Sequence, residues 1–130
     1  MKFLFVCIGN SCRSQIAEAV ARDLGYDAVS AGTEPADTVH KNALSALFYK
    51  GISNSKLYPK TLKDVDTKDR IVVSMGCGVE CPNIKIDYDF GLEDPKDKDF
   101  QYFLDLVEII KAKIQEIIES KKIEKNNNNI

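Results

Sequence analysis

The sequence predicts an α/β protein, a three-layer α/β/α arrangement around a central four-stranded parallel sheet. Three observations predict it. Residues 2–32 read strand, helix, strand, and two neighbouring strands joined through a helix imply a right-handed crossover and parallel pairing. Arg70-Ile71-Val72-Val73-Ser74-Met75 is a β-branched run of the kind a central strand carries. A long amphipathic stretch from Asp99 supplies a covering helix.

The elements follow in order. Residues 2–6 form the first strand, carrying the apolar run Phe3-Leu4-Phe5-Val6. Ser14 to about Gly25 is a helix: Ile16, Ala17, Val20 and Leu24 fall on one face, with Glu18, Arg22 and Asp23 mostly opposite. Residues 27–31 are the second strand, ended by Gly32. Asp37 or Thr38 caps a second helix that stops at Gly51, and Thr61 to Val65 forms a short helix. Arg70 to Met75 is the third strand and Ile84 to Ile86 the fourth. The last helix runs from Asp99 to about Lys122, with Phe100, Phe103, Leu104, Val107, Ile110, Ile114 and Ile117 along its apolar stripe.

A chain of 130 residues is one domain, here 1–123, followed by a disordered Asn-rich tail, 124–130. A net charge of −2 excludes general nucleic-acid binding. No apolar run approaches the ~20 residues that span a membrane, and the first strand is too short for a signal peptide. The expected setting is the cytoplasm, and the expected state a monomer. In a reducing compartment the four cysteines, Cys7, Cys12, Cys77 and Cys81, point to catalysis or metal binding rather than structural disulfides. His40 is the single histidine and reads as a solvated residue at a helix start. A Cys–His pair is thereby excluded, so a cysteine nucleophile must be activated by its own loop.

That loop is Cys7 to Ser14, between the first strand and the first helix. Successive amides in such a turn, with a helix N-terminus, make a concave anion site. Ile8, Gly9, Asn10, Ser11, Cys12, Arg13 and Ser14 are the candidate oxyanion ligands. Arg13 offers a planar fork suited to a tetrahedral oxyanion. The same field favours the Cys7 thiolate, and Ser14 is placed to hydrogen-bond to its sulfur.

Cys-x5-Arg-Ser after a first strand resembles the phosphate loop of low-molecular-weight protein tyrosine phosphatases and of the arsenate reductases built on that fold. The form Cys7-Ile-Gly-Asn-Ser-Cys-Arg-Ser-Gln15 is more similar to the reductases, since the phosphatases usually have Pro where Gln15 stands. The resemblance extends over roughly residues 2–120. It implies Cys7 as nucleophile, Arg13 as oxyanion ligand and Asp94, in Asp94-Pro95 before the last helix, as general acid. Glu93, Asp87 and Asp89 are rivals by proximity. Phosphatases commonly place a Tyr soon after that Pro; here Lys96 follows.

Cys77 and Cys81, with three residues between them, lie after the third strand and are close enough for a disulfide if the stretch is one helical turn. The resemblance gives them the later steps of a thiol relay from Cys7 to Cys77 to Cys81. No bound cofactor is implied. The electron donor is an external thiol reductant: thioredoxin, glutaredoxin with glutathione, or mycothiol. The bound species is an arsenate or phosphate oxyanion. Some members bind potassium near the loop, and Asn10 and Ser30 match part of that site. Two alternatives stand beside the reductase. One is a phosphatase for phosphotyrosine or phosphoarginine that works through a phospho-cysteine. The other is a zinc or redox-sensing module using all four thiols in Cys-x4-Cys and Cys-x3-Cys.

Overall fold

The computed structural model describes residues 1–76 and 84–128. Four parallel strands, β1 (Lys2–Cys7), β2 (Asp27–Gly32), β3 (Ile71–Ser74) and β4 (Tyr88–Asp89), lie in the order β2-β1-β3-β4. The expected α/β fold with a central four-stranded parallel sheet is therefore present. The pairing Cys7↔Gly32 and Val6↔Ser74 brings the ends of β2, β1 and β3 level along one rim. In open parallel sheets this carboxyl rim is where ligands bind.

Strand alternation divides the core. Phe3 and Phe5 face helices α1 (Arg13–Asp23), α2 (Lys41–Tyr49) and α3 (Phe100–Asn128), in one cluster with Ile16, Leu47, Phe103, Ile110 and Ile114. Leu4, Val6, Ala31 and Val72 face the other way. Among the described residues that third layer is thin: Leu62 in a 3-10 turn (Leu62–Asp64), with Val65, Ile84 and Ile86. Burying each large apolar side chain contributes about 1.5–3 kcal/mol, so the helical side carries most of the hydrophobic stabilisation.

Several boundaries differ from expectation, each for a physical reason. The fourth strand is Tyr88–Asp89, not 84–86. Pairing opens at Asp87, whose N–H donates to Val72 O (2.8 Å) and whose carboxylate accepts from Val72 N (2.8 Å). Ile84 and Ile86 serve instead to cover the sheet. The second helix starts at Lys41 rather than after Asp37 or Thr38, because the amides of Thr33, Glu34, Ala36 and His40 are committed to carbonyls of the Cys7 loop. Its cap is His40, whose Nδ1 accepts from Asn42 N (3.1 Å). That ring, expected in solvent, is half-buried and stacked on Phe103 at 5.0 Å.

In α1, Glu18 is not on a solvent face but fully buried. In α3, Phe100 is exposed while Leu106 and Ile118 join the core. The helix also continues past Lys122 to Asn128, through residues assigned from composition to a disordered tail. No Gly or Pro interrupts 100–128, so nothing local stops the i→i−4 ladder. No helix of the described residues is long and apolar enough to cross a membrane.

Candidate active site

A cleft of about 480 Å³ opens at the carboxyl rim. Its floor is Cys7, Ile8, Gly9, Asn10, Ser11, Cys12 and Arg13; Gly76, Leu92, Glu93, Asp94 and Lys96 complete its walls.

The floor is an amide cradle because its carbonyls are occupied elsewhere. Cys7 O accepts from Thr33 N (3.2 Å), Ile8 O from Glu34 N (2.9 Å), Gly9 O from Ala36 N (2.9 Å) and Ser11 O from His40 N (2.9 Å). Asn10 O accepts from Gln15 Nε2 (2.9 Å) and Cys12 O from Ile16 N (3.0 Å). A trans peptide holds its N–H opposite its C=O, so turning every carbonyl outward turns the following amides toward the cleft. Gly32 permits this approach: a Cβ there would lie 2.5 Å from Ile8 O.

Cys7 ends β1, and its sulfur sits under this cradle, 3% exposed. Asn10 N donates to Sγ at 3.0 Å. Ser14 Oγ lies 2.8 Å from the same sulfur and itself accepts from Asn10 Nδ2 (2.8 Å), which leaves the Ser14 proton for Cys7. These donors favour a sulfur anion. Asn10 organises the turn. Its φ of 48° lies in the left-handed region, which Asn tolerates better than most residues. Its side chain is saturated: Nδ2 donates to Ser14 and Ser30 (2.9 Å), and Oδ1 accepts from Gln15 Nε2 (3.0 Å) and Lys60 N (2.8 Å).

Arg13 opens α1, is 6% exposed, and lines the cleft. Its Nη1 donates to Leu92 O at 2.7 Å, tying the loop to the segment that carries Asp94. Asp94 is an exposed residue on the cleft wall, its Oδ1 accepting from Lys96 N (3.1 Å). Of its rivals, Asp87 is occupied by Val72 N, and Asp89 accepts from Ser74 Oγ (3.0 Å) and Gly91 N (3.2 Å). Both hold the sheet edge together and neither lines the cleft. Glu93 does line it, with an ion pair to Lys98 at 3.3 Å.

Cys12 sits at the start of α1, and its thiol is pushed up to about 11. Burial is the main cause, Asp94 and Cys7 add to it, and the Ser11 hydrogen bond and Arg13 oppose it. Cys12 is therefore a neutral thiol at physiological pH. Alkylation of the native protein by iodoacetamide near ~pH 8, mapped by peptide mass spectrometry, is expected to modify Cys7 well before Cys12. Equal rates would contradict this assignment. Because an unfolded thiol ionises near 9.0, the stability linked to Cys12 is fully present below that pH and is lost as pH rises toward about 11.

Of the residues singled out from sequence, Cys7 to Arg13 and Asp94 meet in one cleft, and Ser14 lies beneath it. Cys77 and Cys81 lie outside the described residues; Gly76, the neighbour of Cys77, lines the cleft. Sequence reasoning missed Glu18, Tyr58 and Lys60. Only the apolar neighbours of Glu18 in Ile16-Ala17-Glu18-Ala19-Val20-Ala21 offered a signal, because Tyr58 and Lys60 come from a segment without periodicity.

The comparisons agree with this geometry. The family model for low molecular weight phosphotyrosine protein phosphatase matches residues 2–129. A glutaredoxin arsenate reductase of Synechocystis is 32% identical over 126 residues, covering 90% of this chain and 95% of that protein. The structure of an arsenate reductase in its phosphate-binding state superposes with a TM-score of 0.81 at 32% identity, covering 92% of this chain and 97% of the other. The thioredoxin-dependent arsenate reductase of Corynebacterium glutamicum gives a TM-score of 0.75 at 32% identity, over 95% of this chain and 62% of that one. With the Cys7–Arg13 cradle at the end of β1 and a match along nearly its whole length, this chain belongs to the low molecular weight phosphotyrosine protein phosphatase family.

Proposed function

We propose that this protein is an arsenate reductase that converts arsenate to arsenite with electrons from its own thiols. The observation that carries the reading is the Cys7 sulfur held by Asn10 N and Ser14 at the floor of an amide-lined cleft. The loop amides and Arg13 bind the oxyanion. Cys7 Sγ attacks arsenic, an As–O bond breaks, and Asp94 protonates the departing oxygen. The Cys77 thiolate then attacks Cys7 Sγ. The S–As bond breaks with its electron pair staying on arsenic, so arsenite leaves and a Cys7–Cys77 disulfide remains. Cys81 attacks Cys77, freeing Cys7 and leaving a Cys77–Cys81 disulfide. An external dithiol or thiol reductant restores that pair. A thioredoxin or a glutaredoxin with glutathione fits the relatives' names, and mycothiol supplies the same chemistry.

The assignment of Cys77 as the resolving thiol draws on its place in the chain, directly after Gly76 of the cleft wall. A reducing cytoplasm suits four thiols, and a monomer accounts for the chemistry. The phosphatase alternative draws on the same loop and acid. Against it, no aromatic residue is among the described groups lining the cleft to stack on an aryl phosphate.

A single turnover of fully reduced protein with arsenate and no added thiol tests the reading. One equivalent of arsenite and loss of two thiols to a Cys77–Cys81 link are expected. Survival of all four thiols would overturn the relay, and absence of arsenite with every donor would favour the phosphatase. Asp94→Asn is expected to slow turnover by about 10²-fold or more while phosphate still binds. Unchanged turnover would move the acid to Glu93.

A further inference from the structure

We infer that Lys60 is a built-in monovalent cation for this oxyanion loop, in place of the potassium that related proteins bind nearby. The inference rests on reading Cys7–Arg13 as an oxyanion site, and phosphate binding tests it without any arsenate chemistry.

Behind the loop, a hydrogen-bond chain leads away from the nucleophile with every proton assigned by its neighbours. Ser14 serves Cys7, Asn10 Nδ2 donates to Ser14 and to Ser30 Oγ, and Ser30 donates to Glu18 Oε1 (3.0 Å). The chain ends on a carboxylate whose residue is 0% exposed. A buried carboxylate needs a counter-charge. Lys60 provides it: Nζ is 3.2 Å from Glu18 Oε1, and its side chain is 4% exposed. The ammonium also donates to Tyr58 O (2.9 Å) and lies 4.5 Å from the Tyr58 ring centroid. A carboxylate oxygen, a carbonyl and an aromatic face are what a small monovalent cation would take as its shell. The partly exposed Arg22 meets the same carboxylate at 3.0 Å from the other side.

The residues present do not fit potassium. Asn10 turns its amide hydrogens, not its oxygen, toward Ser30, and Asn10 Oδ1 already accepts from Gln15 and Lys60 N. Glu18 is neutralised by two side-chain cations. Lys60 reaches the loop by a second route through its backbone, donating to Asn10 Oδ1 and accepting from Gly32 N (2.8 Å). It is thus a positioning residue: its charge fixes Glu18, Glu18 orients Ser30, and Ser30 holds Asn10 over Cys7.

The experiment is calorimetric titration of inorganic phosphate into the reduced protein, in potassium chloride and in tetramethylammonium chloride at equal ionic strength. The wild-type affinity should be the same in both salts. Lys60→Met should bind phosphate about tenfold more weakly in tetramethylammonium and recover in potassium, which can enter the space beside Glu18. The Glu18→Gln, Lys60→Met double variant removes the buried charge with its cation, so its affinity should be independent of salt and above that of Lys60→Met in tetramethylammonium. A wild-type affinity that rises several-fold with potassium would overturn the inference. So would a Lys60→Met protein that binds like wild type without potassium, or one that neither potassium nor the Glu18→Gln change restores. If Lys60→Met does not fold, the wild-type salt exchange and the double variant decide the question.

Discussion

Cys7→Ser is expected to abolish arsenite formation, by a factor on the order of 10⁴ or more, while phosphate binding survives. The two effects separate because the structure separates their causes. In the proposed reading the oxyanion is held by amides whose carbonyls are anchored to the 33–40 segment and to Gln15, and by Arg13. Of these groups only the Asn10 amide also donates to the sulfur, and a serine oxygen can accept the same bond. Attack on arsenic requires a polarisable anion beneath the cradle, and a serine hydroxyl given the same Asn10 N and Ser14 partners stays protonated. Arsenic also needs a sulfur bond that can be cleaved with its electrons left behind, which an ester oxygen does not provide. Single-turnover arsenite assays and phosphate titrations on one preparation measure both quantities. Retained reduction would move the nucleophile away from Cys7.

Asn10→Ala should be the most damaging substitution among residues whose side chains are committed to hydrogen bonds inside the fold. It strips four hydrogen bonds at a site with 0% exposure: Lys60 N loses its acceptor, while Ser14, Ser30 and Gln15 Nε2 each lose one of several partners. Each lost hydrogen bond costs about 0.5–1.5 kcal/mol and the orphaned Lys60 amide about 1–3 kcal/mol, a total of about 3–5 kcal/mol. For a domain of this size that lowers Tm by roughly 10–20 °C. Alanine also has to hold a φ of 48°, whereas glycine does so freely. Asn10→Gly isolates the side-chain part, and thermal unfolding of the two variants gives the difference. A Gly variant as stable as wild type would show that the hydrogen-bond hub contributes nothing.

These two residues mark how much of the site was legible in the chain. Cys7, Arg13 and Ser14 announced themselves because the loop is local: strand end, turn and helix start are contiguous, and their chemistry depends on neighbours within eight positions. Asp94 was reached through family resemblance. The fold then separated it from Asp87 and Asp89, which are committed to β3 and its edge. Asn10 was visible as a loop member but not as a hub, since its partners Ser30 and Lys60 arrive from distant segments. His40 reads as a solvated helix-start residue when only its flanking sequence is considered; its partners Ser11 and Phe103 lie far away along the chain.

The sequence by itself determined the α/β class, the strand–loop–helix corner with its candidate nucleophile, and the apolar faces of the long helices, because periodicity and turn chemistry act over a few residues. Only the tertiary structure decided where β4 pairs, why 33–40 is not helical, and how Glu18 comes to be buried beside Lys60. Each of those outcomes depends on hydrogen bonds or charge pairs between segments remote in sequence. Such partners have no fixed spacing to read; they exist only once the sheet has brought their strands together.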